Sequence, residues 1–333
     1  MEDRKQLWLT REHTFAAFAT GPLVDFWQQR EEDEFTGVGR IPIRYVRFIS
    51  AQHDRAILLC PGRIESYMKY AELAYDLYQC GFDVFIIDHR GQGKSGRLLA
   101  DTHRGHVNAF SDYVDDVATL YEKEIATRHY QHRYALAHSM GGAILALMLA
   151  RNVAHFDAAV LVAPMLGIPL PLPSWLAWPI LNWAEKRPDM RENYAVGTGE
   201  WQPRPFENNH VTHSLERYRR SVQLYVDDPV LRMGGPTYHW VRESILAGEM
   251  ALQQAANITV PLLLLQAGEE NVVENAAQER FCQAMQAAGK ACMLKTIAGA
   301  RHEILFEQDE MRAEALASIV RFFDHHCDGA RSC

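Results

Sequence analysis

One serine stands in a setting that would make it a nucleophile. Ser139 lies in the sequence AHSMGG, after the apolar run 134–136 and before the apolar stretch 143–150. A serine at a sharp turn between a strand and a helix exposes its hydroxyl above a sheet, and the residues two before and two after it must be small. Gly141 meets this condition, and Ala137 exceeds the usual glycine by a single methyl group. The pattern therefore predicts that Ser139 attacks an acyl carbon.

A serine hydroxyl needs a base that takes its proton, and that base needs an acid to orient it. In this arrangement the acid and then the histidine follow the serine in the chain, each after a late strand. His302 follows the late apolar segment 293–297, whereas His325 and His326 lie at the end of a predicted C-terminal helix. We therefore expect His302 to be the base.

The acid is expected among two neighbouring glutamates. Glu269 and Glu270 lie in the loop after the apolar segment 261–265, where either carboxylate could orient His302. Their position relative to the pair Val272-Val273 favours Glu270, and Glu269 stays open as the alternative.

The negative charge that develops on the acyl oxygen requires two convergent backbone N–H donors. Met140, the residue after the nucleophile, is the first expected donor. The second is expected from the loop after the apolar run 56–59, where Pro61 has no N–H and Gly62 permits close approach. Arg63 is therefore the predicted second donor.

Short apolar runs alternate with longer amphipathic stretches along most of the chain. This alternation predicts an α/β fold, with a mostly parallel, doubly wound sheet and helices on both faces. The alternation stops between Pro164 and Pro236, where ten of the 14 prolines lie, and it resumes after Thr259. We expect a helical lead-in over 1–34, a core over 35–164 and 256–333, and a helical cap inserted over 165–255.

Composition and motifs exclude several classes of function. The 333 residues carry a net charge of −8, which argues against a nucleic-acid partner. The sequence GQGKSG at 91–96 has the glycines of a nucleotide-binding motif, but Asp88 stands where a phosphate loop needs glycine, so no nucleotide and no other cofactor is expected. A zinc motif H-E-x-x-H starting at His302 would need a second histidine where Phe306 stands, so no metal is expected.

The uncharged stretch 158–184 has the length of a membrane-spanning helix, but its prolines would break such a helix. We expect a buried strand followed by an apolar, irregular region. The first five residues carry mixed charge and no apolar segment, so no secretory signal is expected. The predicted location is the cytoplasmic side of the inner membrane, with peripheral contact.

Five stretches together resemble the α/β hydrolases, and more narrowly the branch of monoglyceride lipases and lysophospholipases; they are 60–67, 87–97, 137–142, 234–240 and 302–307. They are most similar to the larger, lysolecithin-hydrolysing bacterial subgroup. The resemblance implies a serine carboxylester hydrolase that acts on a single-chain lipid beneath a cap, with relatives that also pass the acyl group to another lipid alcohol. Many relatives have histidine where this chain has Pro61, and aspartate where it has Glu270.

The function expected from this resemblance is release of a fatty acid from lysophospholipids, or another single-chain lipid ester, through an acyl-enzyme. A monoacylglycerol lipase, or another serine esterase or peptidase on the same scaffold, is the main alternative. A non-catalytic binder with the hydrolase fold is a weaker alternative.

Aromatic residues of the predicted cap are the candidates for substrate binding: Trp175, Trp178, Tyr238 and Trp240. Tryptophans over 166–183 would line a hydrophobic tunnel, face a membrane, or simply pack the cap on the core. Three arginines around Tyr218 would attract a phosphate headgroup or form a solvated helix face; they are Arg217, Arg219 and Arg220.

Overall fold

A computed structural model describes residues 6–170 and 172–327. The strands are β1 (Glu31–Thr36), β2 (Pro42–Phe48), β3 (Arg55–Cys60), β4 (Phe82–Ile87), β5 (His132–His138), β6 (Ala158–Val162), β7 (Leu262–Ala267) and β8 (Cys292–Ile297). Within the described residues these eight strands form one sheet in the order β1-β2-β4-β3-β5-β6-β7-β8. β1 pairs antiparallel with β2, and β2 pairs antiparallel with β4, whereas the remaining neighbours are parallel. The predicted, mostly parallel α/β sheet is confirmed.

Helices cover both faces of this sheet. In chain order they are α1 (Phe15–Thr20), α2 (Pro22–Gln28), α3 (Ala71–Gln79), α4 (Ser111–Leu120), α5 (Met140–Arg151), α6 (Ser174–Glu185), α7 (Pro188–Arg191), α8 (Leu215–Asp227), α9 (Tyr238–Gln254), α10 (Asn275–Ala287) and α11 (Asp309–His325). Because side chains alternate along a strand, Leu58 of β3 packs in the cluster with α4 and α5, and Leu59 packs in the cluster with α3 and α11. Both faces are therefore buried, as a doubly wound sheet requires.

The prediction of a helical lead-in over 1–34 is wrong at its end. The last helix before the sheet ends at Gln28, and β1 begins at Glu31. The sequence of β1, EEDEFT, has no apolar alternation that would reveal a strand. Its acidic side chains face arginines of β2 instead, with Glu34 2.9 Å from Arg44 and Glu31 2.7 Å from Arg47. Cross-strand charge pairs of this kind stabilise an antiparallel ladder without apolar contacts.

The segment between β6 and β7, residues 163–261, is called the insertion below. Its first part is more regular than the expected irregular region, since α6 is a helix that contains Pro179. A proline inside a helix removes one backbone hydrogen bond. Here Ala177, Leu181 and Ala184 are buried along one side of α6, which packs against α9, and this burial offsets the loss. None of the described helices combines the length and apolarity needed to cross a bilayer.

The last helix of the insertion, α9, packs against α5 beside the sheet. Its residues Trp240, Ala247 and Ala251 belong to the same buried cluster as the strands of the core. A helix inside the predicted cap range 165–255 therefore packs as part of the core layer. The sequence could not reveal this, since the amphipathic pattern of α9 does not say which surface covers its apolar side.

Candidate active site

The turn that carries Ser139 is strained and held in place by its neighbours. Ser139 has φ 51° and ψ −116° between β5 and α5, a region that residues other than glycine rarely adopt. Its N–H donates to the carbonyl of Val162 at 3.0 Å, and its own carbonyl accepts from the N–H of Met165 at 2.9 Å. A side chain at Gly141 would collide with the carbonyl oxygens of Cys60 and Pro61. The structure thus gives the requirement for a small residue at 141 a direct steric cause.

A second close approach in this turn escaped the sequence analysis. A Cβ atom at Gly142 would meet Pro164 at 2.6 Å, because the chain leaving β6 passes directly over the start of α5. The double glycine after Met140 was the available signal, and it became specific only once the position of Pro164 was known.

His302 lies in the loop after β8 and reaches back to Ser139. Its Nε2 is 2.9 Å from Ser139 Oγ, and its side chain is almost completely buried. A base at this distance can accept the hydroxyl proton directly.

Glu270 lies on the other side of the imidazole of His302, with both carboxylate oxygens 2.9–3.0 Å from Nδ1. Its Oε1 also accepts from the backbone N–H groups of Val272 and Val273, at 2.8 and 3.3 Å. Burial alone would raise the pKa of Glu270, but the hydrogen bonds to His302 and the backbone outweigh it, and the pKa lies below its ordinary value. The carboxylate is therefore charged at neutral pH. Glu269 points elsewhere, with its Oε2 3.4 Å from His213.

Two backbone N–H groups beside these side chains are available as hydrogen-bond donors, as an oxyanion hole would require. Met140 is the first residue of α5, so its N–H has no partner within the helix. The N–H of Arg63 has no hydrogen-bond partner among the described residues, whereas the N–H of Gly62 donates to Glu65. The neighbouring Ile64 has φ 67°, which is unusual for a β-branched residue and marks this loop as strained.

Glu65 stabilises the strained loop and also connects it to the histidine side of the site. Its Oε2 accepts from the N–H of Gly62, from the hydroxyl of Tyr70 and from Nδ1 of His138, the last at 3.2 Å. Its Oε1 is 2.8 Å from Lys69. Burial would raise the pKa of Glu65, but the charges of Lys69 and His138 hold it well below its ordinary value.

His138 connects Glu65 to the backbone of His302. Its Nδ1 donates to Glu65, and its Nε2 lies 3.2 Å from the carbonyl oxygen of His302. Both partners are acceptors, so an imidazolium, with an N–H at each ring nitrogen, would satisfy both contacts. Burial would lower the pKa of His138, but the Glu65 carboxylate outweighs it and the pKa is raised.

Ser139 and His302 open onto a cavity of about 400 Å³. Of the aromatic residues proposed from the sequence, Trp240 lines this cavity, whereas Trp175, Trp178 and Tyr238 do not. Trp175 is 73% exposed on α6, so its side chain faces outwards. Other lining residues from the insertion were not singled out from the sequence: Met165, Ile168, Trp201, Val211, Ser221, Val222 and Tyr225.

The arginines around Tyr218 have different surroundings in the structure. Arg217 is buried, and its guanidinium binds Glu72 at 2.8–2.9 Å and Asp309 at 2.8 Å. Arg217 therefore joins α8 to the core and is not available to a phosphate headgroup. Arg219 is exposed on the outer side of the same helix.

The glycine-rich loop 91–96 wraps around a carboxylate of the chain itself. Asp88 accepts from the N–H of Lys94 at 2.7 Å and from that of Tyr67 at 2.6 Å, and a side chain at Gly93 would collide with it. Burial raises the pKa of Asp88 to about 7, although these hydrogen bonds oppose the rise. The glycines therefore allow a tight turn around Asp88.

Comparisons with known proteins agree with this architecture. Residues 51–309 match the family described as serine aminopeptidase, S33. The chain is 57% identical to lysophospholipase L2 of Escherichia coli K12, over 98% of this chain and 97% of that protein. It is 33% identical to a probable lysophospholipase L2 of Haemophilus influenzae, over 95% and 99% of the two chains.

A solved structure shows the same fold at low identity. The carboxyl esterase of Bacillus coagulans has a TM-score of 0.73 and 17% identity, covering 90% of this chain and 99% of that one. The predicted α/β-hydrolase fold is confirmed. The chain belongs to the serine aminopeptidase, S33 family of α/β hydrolases, in the branch that contains the lysophospholipase L2 proteins.

Proposed function

We propose that this protein releases a fatty acid from lysophospholipids. The observation that carries the proposal is the hydrogen-bonded triad Ser139–His302–Glu270, whose serine and histidine line a cavity of about 400 Å³. The identity of 57% to a lysophospholipase L2 along almost the full length of both chains supports this substrate class.

The reaction proceeds in two acyl-transfer steps. His302 takes the hydroxyl proton as Ser139 Oγ bonds to the ester carbonyl carbon, and the N–H groups of Met140 and Arg63 hold the resulting oxyanion. The bond to the glycerol oxygen then breaks, and His302 returns the proton to that oxygen. Water repeats the sequence on the acyl-enzyme and releases the fatty acid. A second lipid alcohol in place of water would give acyl transfer.

The lining of the cavity favours a lipid over a peptide substrate. A peptidase on this scaffold needs carboxylates in the insertion to hold the substrate's amine. The insertion residues described along the cavity are apolar, aromatic or hydroxylic, and none is acidic. Glu65 and Glu303, the acidic side chains there that lie outside the insertion and the triad, are both bound to Lys69. This surface suits an acyl chain, and the insertion up to α9 acts as the cap over it.

We also propose peripheral membrane contact through α6. Trp175, Leu176, Ile180 and Trp183 expose large apolar surfaces on this helix, and its C-terminal end carries the exposed cations Lys186 and Arg187. Exposed tryptophans with nearby basic residues are typical of a surface that binds the lipid–water interface. A substrate that partitions into bilayers gives this contact a function, on the cytoplasmic side of the inner membrane.

The test is release of fatty acid from a lysophospholipid, a monoacylglycerol and a diacyl phospholipid by the wild type and Ser139→Ala. We expect release mainly from the lysophospholipid, and a loss of about 10⁶ in kcat in the variant. Release mainly from the monoacylglycerol would keep the mechanism and change the substrate. Failure of a fluorophosphonate to label Ser139 would point instead to a non-catalytic binder, and activity that survives in Ser139→Ala would overturn the assignment of the nucleophile.

A further inference from the structure

The guanidinium of Arg63 is held in a fixed position by residues beside the active site. Arg63 lines that cavity together with Ser139, and it also lines an adjoining cavity of about 390 Å³. Its Nη2 donates to the carbonyl of Gly234 at 2.6 Å, and its Cζ lies 4.9 Å from the ring centroid of Trp240. Both contacts come from the insertion, so the cation is held where the insertion meets the loop after β3.

This cation has no counter-charge within the described residues. No carboxylate lies within ion-pair distance of Arg63, and its Nε is buried without an acceptor. Arginines that are fully buried are paired instead: Arg90 with Asp116, Arg217 with Glu72, and Arg312 with Asp76. Burial lowers the pKa of Arg63 to about 10, so the group is still charged at neutral pH. Arg63 is half-buried and its Nε is fully buried, so leaving the charge unpaired is costly, and an anion beside it would recover that cost.

Apart from the histidines, the other cation among the described residues that line the cavity is Lys69, and its charge is already paired. Lys69 lies 2.8 Å from Glu65 and 2.7 Å from Glu303. An anionic group that entered the cavity would therefore find its strongest attraction at Arg63, whose planar guanidinium suits phosphate oxygens.

We propose that the Arg63 side chain binds the phosphodiester of the lysophospholipid; this inference rests on the proposed function. The two molecules match in the number of covalent bonds that they span. The number of covalent bonds from the backbone nitrogen of Arg63 to its Cζ equals the number from the ester carbonyl carbon to the phosphorus of a 1-acyl lysophospholipid. One residue thus contacts both ends of the glycerol unit, with its N–H at the oxyanion and its guanidinium at the phosphate.

The test compares Arg63→Gln with the wild type on a lysophosphatidylcholine and a monoacylglycerol of the same short acyl chain, both below the concentration at which they form micelles. The backbone N–H survives this substitution. We expect kcat/KM to fall about 10- to 100-fold for the lysophospholipid, the range for loss of hydrogen bonds to a charged group. The value for the monoacylglycerol should fall less, so the preference for the lysophospholipid should decrease in the variant. Arg219→Gln, on the exposed side of α8, is the matched control and should change neither value.

A second measurement tests the same subsite without hydrolysis of a lysophospholipid. Glycerophosphocholine should inhibit hydrolysis of the monoacylglycerol by the wild type, and its inhibition constant should rise at least about tenfold in Arg63→Gln. Inorganic phosphate in its place separates a headgroup site from a site for the free ion. Equal, Arg63-dependent inhibition by inorganic phosphate would overturn the assignment to a headgroup.

The remaining outcomes are distinct. An equal fall for both substrates, or no change for either, would overturn the role of Arg63, because a purely structural role would affect both alike. A wild type that hydrolyses only the monoacylglycerol would contradict the proposed function. In that case Arg63-dependent inhibition by glycerophosphocholine would still support the phosphodiester subsite, and its absence would overturn it.

Discussion

The carboxyl ends of the strands, where Ser139 lies, and the surface of α6 differ in how their side chains are held. At the carboxyl ends of the strands every candidate catalytic side chain is buried or nearly so, and each has a hydrogen-bond partner that holds it. On α6, Trp175 and Trp183 are 73% and 46% exposed. The first region fixes positions of reacting groups to within a hydrogen-bond length. The second leaves apolar surface without a partner in the protein.

The two regions suit different tasks, the first a chemical reaction and the second contact with a lipid interface. Strain at Ser139 and Ile64 persists only because surrounding contacts determine it, which suits a site that must meet a transition state in a set geometry. A lipid interface has no set geometry, and a helix that presents apolar area is sufficient to bind it. We therefore expect substitutions at the carboxyl ends of the strands to change kcat, and substitutions on α6 to change binding to a lipid interface.

The largest of the remaining effects should come from Glu270→Gln. The amide keeps the shape of the side chain but no longer stabilises the imidazolium or its tautomer, so kcat should fall about 10⁴-fold. Glu269→Gln is the matched control, since Glu269 contacts His213 rather than His302, and it should leave kcat unchanged. A larger loss in Glu269→Gln than in Glu270→Gln would reverse the assignment of the acid.

Arg217→Met should lower the free energy of unfolding by about 3–5 kcal/mol, because it leaves Glu72 and Asp309 buried with less counter-charge. Burial would raise the pKa of Glu72, but Arg312 and Arg217 lower it from 4.5 to about 2. Its pairing therefore stabilises the protein above pH 4.5, and this contribution is lost as the pH falls towards 2. The variant should unfold in acid at a higher pH than the wild type. Denaturant and acid titrations measure both effects.

The exposed neighbour supplies the control for this prediction. Arg219→Met should change the free energy of unfolding by less than about 0.5 kcal/mol. Equal losses for the two variants would show that the buried ion pairs of Arg217 contribute little to holding α8 on the core.

Glu65→Gln should reduce kcat by about 10²-fold with little change in KM, because the loop that presents the Arg63 N–H loses the charge that holds it. Glu303→Gln is the comparison variant, since Glu303 pairs with the same Lys69 but has no hydrogen bond to Gly62 or His138. Its kcat should fall by less than about threefold. Similar losses in the two variants would assign the effect to the charge of Lys69 instead of the loop.

The smallest effect is expected on α6. Replacing Trp175 and Trp183 together by serine should weaken binding to anionic phospholipid vesicles by about tenfold, and leave kcat for a soluble short-chain ester unchanged. Met293→Ser removes an exposed apolar side chain from β8 and is the control. Vesicle sedimentation measures the binding. Unchanged sedimentation of the double variant would remove α6 from the proposed membrane contact.

Sequence alone predicts the parts of this molecule that depend on local pattern and chain order. Ser139 lies in a motif with steric requirements of its own, and His302 follows the last strand, as the fold requires. The position of Glu270 relative to the valine pair agrees with the hydrogen bonds that this residue makes to Val272 and Val273. These contacts are all short-range or follow from the order of the strands.

Features that depend on distant partners escape such prediction. Arg217 resembles a surface residue in the sequence, and only Glu72 and Asp309, far away in the chain, bury it. The left-handed backbone of Ile64 is fixed by contacts such as the hydrogen bond from the hydroxyl of Tyr225 to its carbonyl, at 2.7 Å. No periodicity records either arrangement.

The acidic strand β1 has a consequence for the protein at high concentration. β1 is an outer strand of the sheet, and an outer strand offers unpaired backbone groups to any extended chain that approaches. A second copy that aligned its own β1 there would bring its glutamates against Glu31, Glu32 and Glu34. Like charges facing each other across a strand pair repel. Molecules that come close to one another are thereby kept from joining their sheets into aggregates along this edge.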